Sequence, residues 1–439
     1  AISGLRSDSP PPTGASTLSL SGESIFRGAI THDGSLAVDV AGGTLELTNS
    51  GAVSLASLNV GAEGTIGVTV DPEAESNTLY DVAGTATFEE GAALSVRLTQ
   101  AASSEGEFVV VRADSLVGAD TLKGSAGNLP FLFDSRISVD EEAGEVSLSL
   151  ARKTAEALGL NGSQTRAYDA VFEALDNDAD VAGAFLNITD GEAFRETLRQ
   201  MLPDHAGGSF EAVSLASRQM ARILTDPDAP YVDRGRWGYW LQQGAWGTSS
   251  DFTDTAAYDI SGWGASGGAE LNTETAGSIG LSIAYLSSEI DDDGTANEVI
   301  ADQYEGAVHW RGTWDGFLGY ARASLGYITY DSERRFSGIF DGEEVTRIAN
   351  GERDAWLYSA SGGASYEVSL GRLRLRPIGT LDYYRLKEDG YTDTGGGDAF
   401  NLDVDSRTSD ELAATGRLVA ALTFGGENRM AGWGRVEAE

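Results

Sequence analysis

The chain has 439 residues and no cysteine, with 30 Lys and Arg against 68 Asp and Glu, a formal net charge of -38. Disulfides and thiolate metal sites are thereby excluded, and so acidic a chain repels phosphate backbones, so nucleic acid is not an expected partner. No apolar run reaches the roughly 18 residues of a transmembrane helix, and no basic segment followed by an apolar one opens the chain as a signal peptide would.

Residues 1–15 include Ser9-Pro10-Pro11-Pro12 and read as a disordered lead-in. Residues 16–153 hold many short strands, such as Ser35–Val40, Thr65–Val70 and Ala93–Leu98, separated by turn signals at Asp33-Gly34, Gly42-Gly43 and Glu90-Gly91. Close spacing and little charge inside the strands suit a parallel β-helix. No strict repeat period stands out, so a sandwich stays open. Phe108–Val111 and Phe131–Phe133 are denser apolar strands and suit the cap that an open solenoid needs.

Residues 154–235 change character. Tyr168, Val171, Phe172 and Leu175 fall at helical spacing, as do Phe194, Leu198, Met201 and Leu202, which predicts an α-helical linker. Ser163 and Asp190 are the expected N-caps, and Pro203 the expected end of one helix. A further helix is expected over Ser209–Leu224, with Val213, Ala216, Met220 and Ile223 on one face and Asp226-Pro227 closing it.

Residues 236–439 alternate. Leu373, Leu375, Leu381 and Tyr383 share one parity, and Arg372, Arg374, Arg376, Thr380 and Asp382 the other. Tyr304, Val308 and Trp310 oppose Gln303, Glu305, His309 and Arg311; Leu412, Leu418 and Leu422 oppose Thr415, Arg417 and Thr423. Each strand thus has an apolar and a polar wall. The runs reach the roughly 10 residues that a tilted strand needs to cross a bilayer. Connections alternate between short (Asn272–Gly277, Thr313–Gly316, Leu370–Arg372) and long (Ser287–Val299, Asp331–Asp354, Lys387–Glu411), and aromatics gather near strand ends. Together these predict a transmembrane antiparallel β-barrel, apolar toward lipid and charged toward the lumen.

The segments Tyr80–Ala86, Gly91–Val96 and Gly106–Ala113 look like the C-terminal part of an autotransporter passenger. Leu202-Pro203-Asp204-His205-Ala206-Gly207-Gly208 followed by a helix looks like the lead into a translocator, and Arg236–Gln242 with Gly244-Ala245-Trp246-Gly247 like its first strand. The order β-helix, helical linker, barrel resembles a type Va autotransporter over almost the whole chain. The resemblance implies an outer-membrane barrel that exports its own passenger to the cell surface, a monomer whose partners are the lipid bilayer, the barrel-assembly machinery and periplasmic chaperones. It also implies about twelve strands; we count about nine, near Trp237, Tyr258, Ile279, Tyr304, Phe317, Trp356, Leu373, Leu412 and Met430, and no terminal aromatic follows Arg435. The barrel is therefore expected to be truncated.

By the same resemblance the Ser209–Leu224 helix would sit in the lumen. Lumen-facing Arg311, Arg322, Arg372, Arg374, Arg376 and Arg417 would pair with Glu305, Glu367 and Asp382 and with helix acids to hold it. Some family members cut the passenger free at an Asn in that helix; Asn161-Gly162 and Asn177-Asp178 are the candidate bonds, although Asn is also a common helix cap. No catalytic residue, metal site or cofactor is expected. The three histidines, His32, His205 and His309, are far apart, and there is no phosphate loop or nucleophile elbow. Asp176, Asp178 and Asp180 begin like a calcium loop, but Val181 and Asn187 stand where Gly and Glu are needed. The alternatives are an outer-membrane channel or receptor with a periplasmic module, and a soluble β-helical polysaccharide-active protein.

Overall fold

A computed structural model describes residues 16–31, 33–71, 76–101, 105–122, 126–127, 129–202, 208–225, 232–251, 257–273, 275–292, 294–371, 373–424 and 434–438. The chain forms two units. The first holds residues up to Met201 together with Phe336–Arg347 and Gly397–Phe400; the second holds Leu202–Arg335, Ile348–Gly396 and the rest.

In the first unit the strands are β1 (Ser16–Leu20), β2 (Ile25–Gly28), β3 (Leu36–Leu47), β4 (Ala52–Leu55), β5 (Ser57–Asp71), β6 (Ser76–Asn77), β7 (Leu79–Phe88), β8 (Ala93–Leu98), β9 (Gly106–Val117), β10 (Ala126–Gly127), β11 (Phe133–Asp140) and β12 (Glu145–Arg152). Pairing is parallel from β1 through β3 and β5 to β7 and β9, and β5 also pairs β8 in parallel. Parallel register stacks like on like. Leu45 lies beside Ile66 and Ile66 beside Leu94; Val40 lies beside Val60 and Val60 beside Phe88. All six are buried. A polar file runs alongside, where Asn59 Nδ2 donates to Asp39 Oδ1 at 2.7 Å. Gly64 sits at a corner where a Cβ would stand 2.2 Å from the Val40 carbonyl oxygen of the preceding rung, so the stack closes only over glycine there.

The parallel stack ends in an antiparallel meander, β9 to β12 to β11. The dense apolar strand Phe108–Val111 lies in this meander, and Phe133 opens β11. Helices α1 (Gly162–Leu175), α2 (Ala179–Leu186) and α3 (Gly191–Gln200) follow. Phe133 packs edge-on to Phe172 at 6.3 Å, and the Arg152 guanidinium lies 4.4 Å from the centre of the Phe172 ring. Tyr168 donates to the Lys153 carbonyl, and burial pushes its hydroxyl up to about 12. The N-cap of α1 is Asn161 rather than Ser163: its side chain accepts from Gln164 N, and the Gln164 side chain accepts from Asn161 N. That reciprocal box satisfies two amides at once, which Ser163 inside the first turn could not do. Asp190 caps α3 as expected. The helix end expected at Pro203 lies outside the described residues.

The second unit begins with α4 (Gly208–Ala221) and continues with β13 (Val232–Arg234), β14 (Trp237–Ser250), β15 (Tyr258–Asn272), β16 (Ser278–Asp292), β17 (Glu298–Trp314), β18 (Phe317–Phe340), β19 (Glu343–Tyr366), β20 (Val368–Leu370), β21 (Leu373–Glu388), β22 (Tyr391–Thr392), β23 (Asp403–Val404), β24 (Arg407–Phe424) and β25 (Gly434–Ala438). These make one antiparallel sheet ordered β13-β14-β15-β16-β17-β18-β19-β21-β24-β25, with β20 paired to β21 and β22 to β23 apart from it. The expected ninth strand near Met430 falls outside the described residues, and the described strand β25 begins at Gly434. The long strands run 14 to 24 residues, well past the roughly 9–11 that span a bilayer.

Burial alternates, but inside out. Leu241, Ile283 and Leu412 are 76%, 75% and 69% exposed, while Gln303, Glu305, His309 and Arg311 are buried. A soluble sheet would not leave one face of leucine and isoleucine to water; a membrane sheet presents it to lipid. Two expected long connections change form: β16 runs on to Asp292 and β17 begins at Glu298, which shortens Ser287–Val299, and Asp331–Asp354 is not a long loop. It is a continuation of β18 and β19 into a hairpin closed by Asp341 (φ 50) and Gly342 (φ 83). Two consecutive positive φ values are the mark of the tight turn that matches strand twist.

Candidate functional site: a helix enclosed by the strand wall

The second unit is organised around α4. Its residues touch a side chain of every long strand from β14 to β24. On β14 the Gln242 amide donates to the Met220 carbonyl at 2.9 Å, and on β15 the Tyr258 hydroxyl donates to Glu211. On β16, Leu286 packs with Ala216 and Met220. Ser217 donates to Glu305 of β17 at 2.6 Å, and Tyr330 of β18 donates to the Ser209 carbonyl at 3.1 Å. Arg353 of β19 donates to Ser209 Oγ at 3.2 Å. The Arg218 guanidinium lies 5.3 Å from the Tyr384 ring centre on β21 and 3.0 Å from Glu411 of β24. A helix in contact with successive strands on all its faces means that the sheet curls round it. Small residues permit the fit: Gly208, Ser209, Ala212, Ala216 and Ser217 are all buried.

Ion pairs line the interior. Glu305 accepts from Ser217, from Arg322 Nη2, from Gln303 at 3.2 Å and from Ser324 at 3.2 Å. Glu270 takes a forked pair from Arg311 at 2.8 and 3.0 Å, and His309 Nε2 stands 3.4 Å away. Glu388 joins Arg353 at 3.4 Å and Arg407 at 2.8 Å; Asp393 joins Arg334 at 2.6 Å. Buried charges tolerate such a place only when paired and hydrogen-bonded. Large rings rest on glycines. A Cβ at Gly262, Gly268 or Gly280 would stand 2.3 Å from the ring of Trp246, Trp240 or His309 respectively.

Of the residues singled out from the sequence, the fold brings Arg322 and Glu305 together and buries Arg311, Arg376 and Asp382. Arg376 Nε and Nη1 have no hydrogen-bond partner among the described residues. Arg417 is half-buried. Arg374 and Glu367 form a pair at 3.6 Å, with Arg374 exposed near the start of β21 and Glu367 half-buried between β19 and β20. Arg372 lies outside the described residues. Sequence reasoning missed Glu270, Arg353, Glu388 and Asp393. Glu270 was legible by parity with buried Ser266. The others lay in segments read as loops. The two candidate Asn bonds belong to helix ends of the first unit, and α4 itself contains no Asn.

An antiparallel sheet with lipid-suited residues outside, paired charges inside and a helix within its curl defines the class of transmembrane β-barrels. Residues 240–439 match the family model described as the autotransporter beta-domain. Over those residues the chain carries the autotransporter beta-domain, an outer-membrane translocator domain of type V secretion. Among solved structures that match is the translocator domain of autotransporter NalP from Neisseria meningitidis, 17% identical, with a TM-score of 0.38, covering 50% of this chain and 71% of that one. No curated protein matches the chain.

Proposed function

We propose that the barrel exports the segment ahead of it, and that residues 16–153 are the C-terminal end of a β-helical passenger displayed at the cell surface. Residues 154–235 serve as the linker and residues 236–439 as the translocator, and the exported part present here is non-catalytic. The observation that carries this reading is α4: it fills the interior of the domain that matches the autotransporter family and directly follows the linker helices. A chain threaded through a barrel leaves its last crossing segment there. The parallel stack supports the passenger assignment, because rungs that fold in succession bury apolar surface on the outer side and make return unfavourable.

The working partners in this reading are the outer-membrane bilayer, the barrel-assembly machinery and periplasmic chaperones, and the protein acts as a monomer. The interior charges Arg311, Arg322, Arg376, Arg417, Glu305 and Asp382 hold α4 as a plug. The test is a tag within Ser16–Leu150 of the full-length protein in intact cells, with protease added outside. Loss of the tag while the outer membrane stays closed supports export. Protection until the membrane is opened places the segment in the periplasm and favours a channel or receptor.

A further inference from the structure

The first unit contains residues that the translocator sequence supplies. Phe336–Arg347, the tip of the β18–β19 hairpin, belongs to it. Phe336 is fully buried and stacks on Phe185 of α2, with ring centres 6.0 Å apart and planes 16° from parallel. Gly338 lies so close that a Cβ there would stand 2.7 Å from Ala184 Cβ. Arg347 forks onto Asp178 at 2.8 and 3.0 Å and reaches Asp180 at 3.0 Å. The backbone joins in: Ser337 N donates to Gln200 of α3 at 2.7 Å. This is an apolar centre with a charged rim, the make-up of a specific interface.

We propose that the hairpin tip is a clamp for α2 and α3 that bears mechanical load in place of α4. A pull on the stack Ser16–Arg152 travels along the chain and reaches Asp178 and Phe185 before it reaches Gly208. At that point the clamp passes the force into β18 and β19, which are 24 residues each and hydrogen-bonded to neighbours in the sheet. Without the clamp the same pull draws on α4, whose hold is a set of side-chain contacts. An aromatic stack crossed by forked ion pairs suits the task, since Arg347 grips two carboxylates of one helix end. The role as load-bearer rests on the surface-passenger reading above; the clamp itself does not.

The test is force spectroscopy on the full chain in a supported bilayer, pulled from a handle ahead of Ser16. The expected trace shows a rupture of the clamp before α4 is extracted. Phe336→Ala with Arg347→Glu should abolish that event and leave α4 extraction as the first rupture. Arg347→Glu alone should weaken the event and Arg347→Glu with Asp180→Arg restore it, which separates loss of the clamp from misfolding. A wild-type trace in which α4 leaves first, or a clamp event that the variants do not alter, overturns the proposal. The protease assay on the tag independently decides export, so a clamp found on a periplasmic segment would refute the earlier reading and not this contact.

Discussion

The Ser217 hydroxyl of α4 donates to the Glu305 carboxylate of β17 at 2.6 Å, and Arg322 of β18 pairs with that same carboxylate. One buried acid therefore ties the interior helix to two neighbouring strands of the wall. Because the site is buried and its lone pairs are filled, removing one charge leaves the other without compensation.

Arg322→Met is expected to destabilise the barrel by about 3–5 kcal/mol, the cost of breaking a buried pair from one side, whereas Ser217→Ala should cost about 2 kcal/mol, one hydrogen bond to a charged group. Heat-modifiability on gels, read as the temperature at which the folded band is lost, measures both. Equal shifts for the two variants would contradict this ranking.

Neutralising Arg311, Arg322 and Arg376 together should loosen α4 and raise the conductance of single barrels in planar bilayers. Conductance equal to that of the wild type would end the plug assignment.

The glycines of the strand wall have different tolerances. A Cβ at Gly268 would stand 2.3 Å from the Trp240 ring and 2.6 Å from the Leu281 carbonyl oxygen, while one at Gly306 meets nothing within 4 Å. Gly268→Ala should therefore cost about 1–3 kcal/mol, as overpacking does, and Gly306→Ala should be nearly silent. Urea titration of the folded band in outer-membrane fractions separates them.

The Asp178 carboxyl is pushed up by burial, but the hydrogen bonds from Arg347 and from the backbone amides of Val181 and Asp180 outweigh that and hold it below the usual range. A depressed folded value means that the contact contributes stability above the ordinary carboxylate pKa of about 3.9 and loses it as the pH falls through the lower folded value. Hydrogen exchange in α2 should accelerate in that acid window. Asp178→Asn keeps a capping side chain and should flatten the response; an unchanged acid response would assign it to another group.

The seat of the hairpin leaves no room for an added atom: a Cβ at Gly338 would stand 2.7 Å from Ala184 Cβ. Gly338→Ala should therefore loosen the hairpin from α2 at a cost of about 1–3 kcal/mol, as overpacking does. Hydrogen exchange in α2 that the substitution leaves unchanged would contradict the seating.

Alternation in Leu373–Tyr383 and Gln303–Arg311 already declared strands with one lipid face and one charged face, because side-chain parity is a property of the local backbone. Helical spacing likewise announced Tyr168, Val171, Phe172 and Leu175 as one buried face. Partnership is another matter. Arg311 meets Glu270, 41 positions away, and Arg334 meets Asp393, 59 positions away. Such pairs depend on register between strands and on where a hairpin turns, neither of which parity encodes. For the same reason Asp331–Asp354 read as a loop: its charges interrupt the apolar period, yet two long strands run through it and carry Phe336 and Arg347 onto α2. Sequence by itself determined the helices of the linker and the alternating stretches of the wall, and which way their side chains face. Only the tertiary structure decided which acid meets which arginine, that α4 lies within the wall, and that a hairpin from the barrel completes the helical unit, since these rest on long-range register and packing.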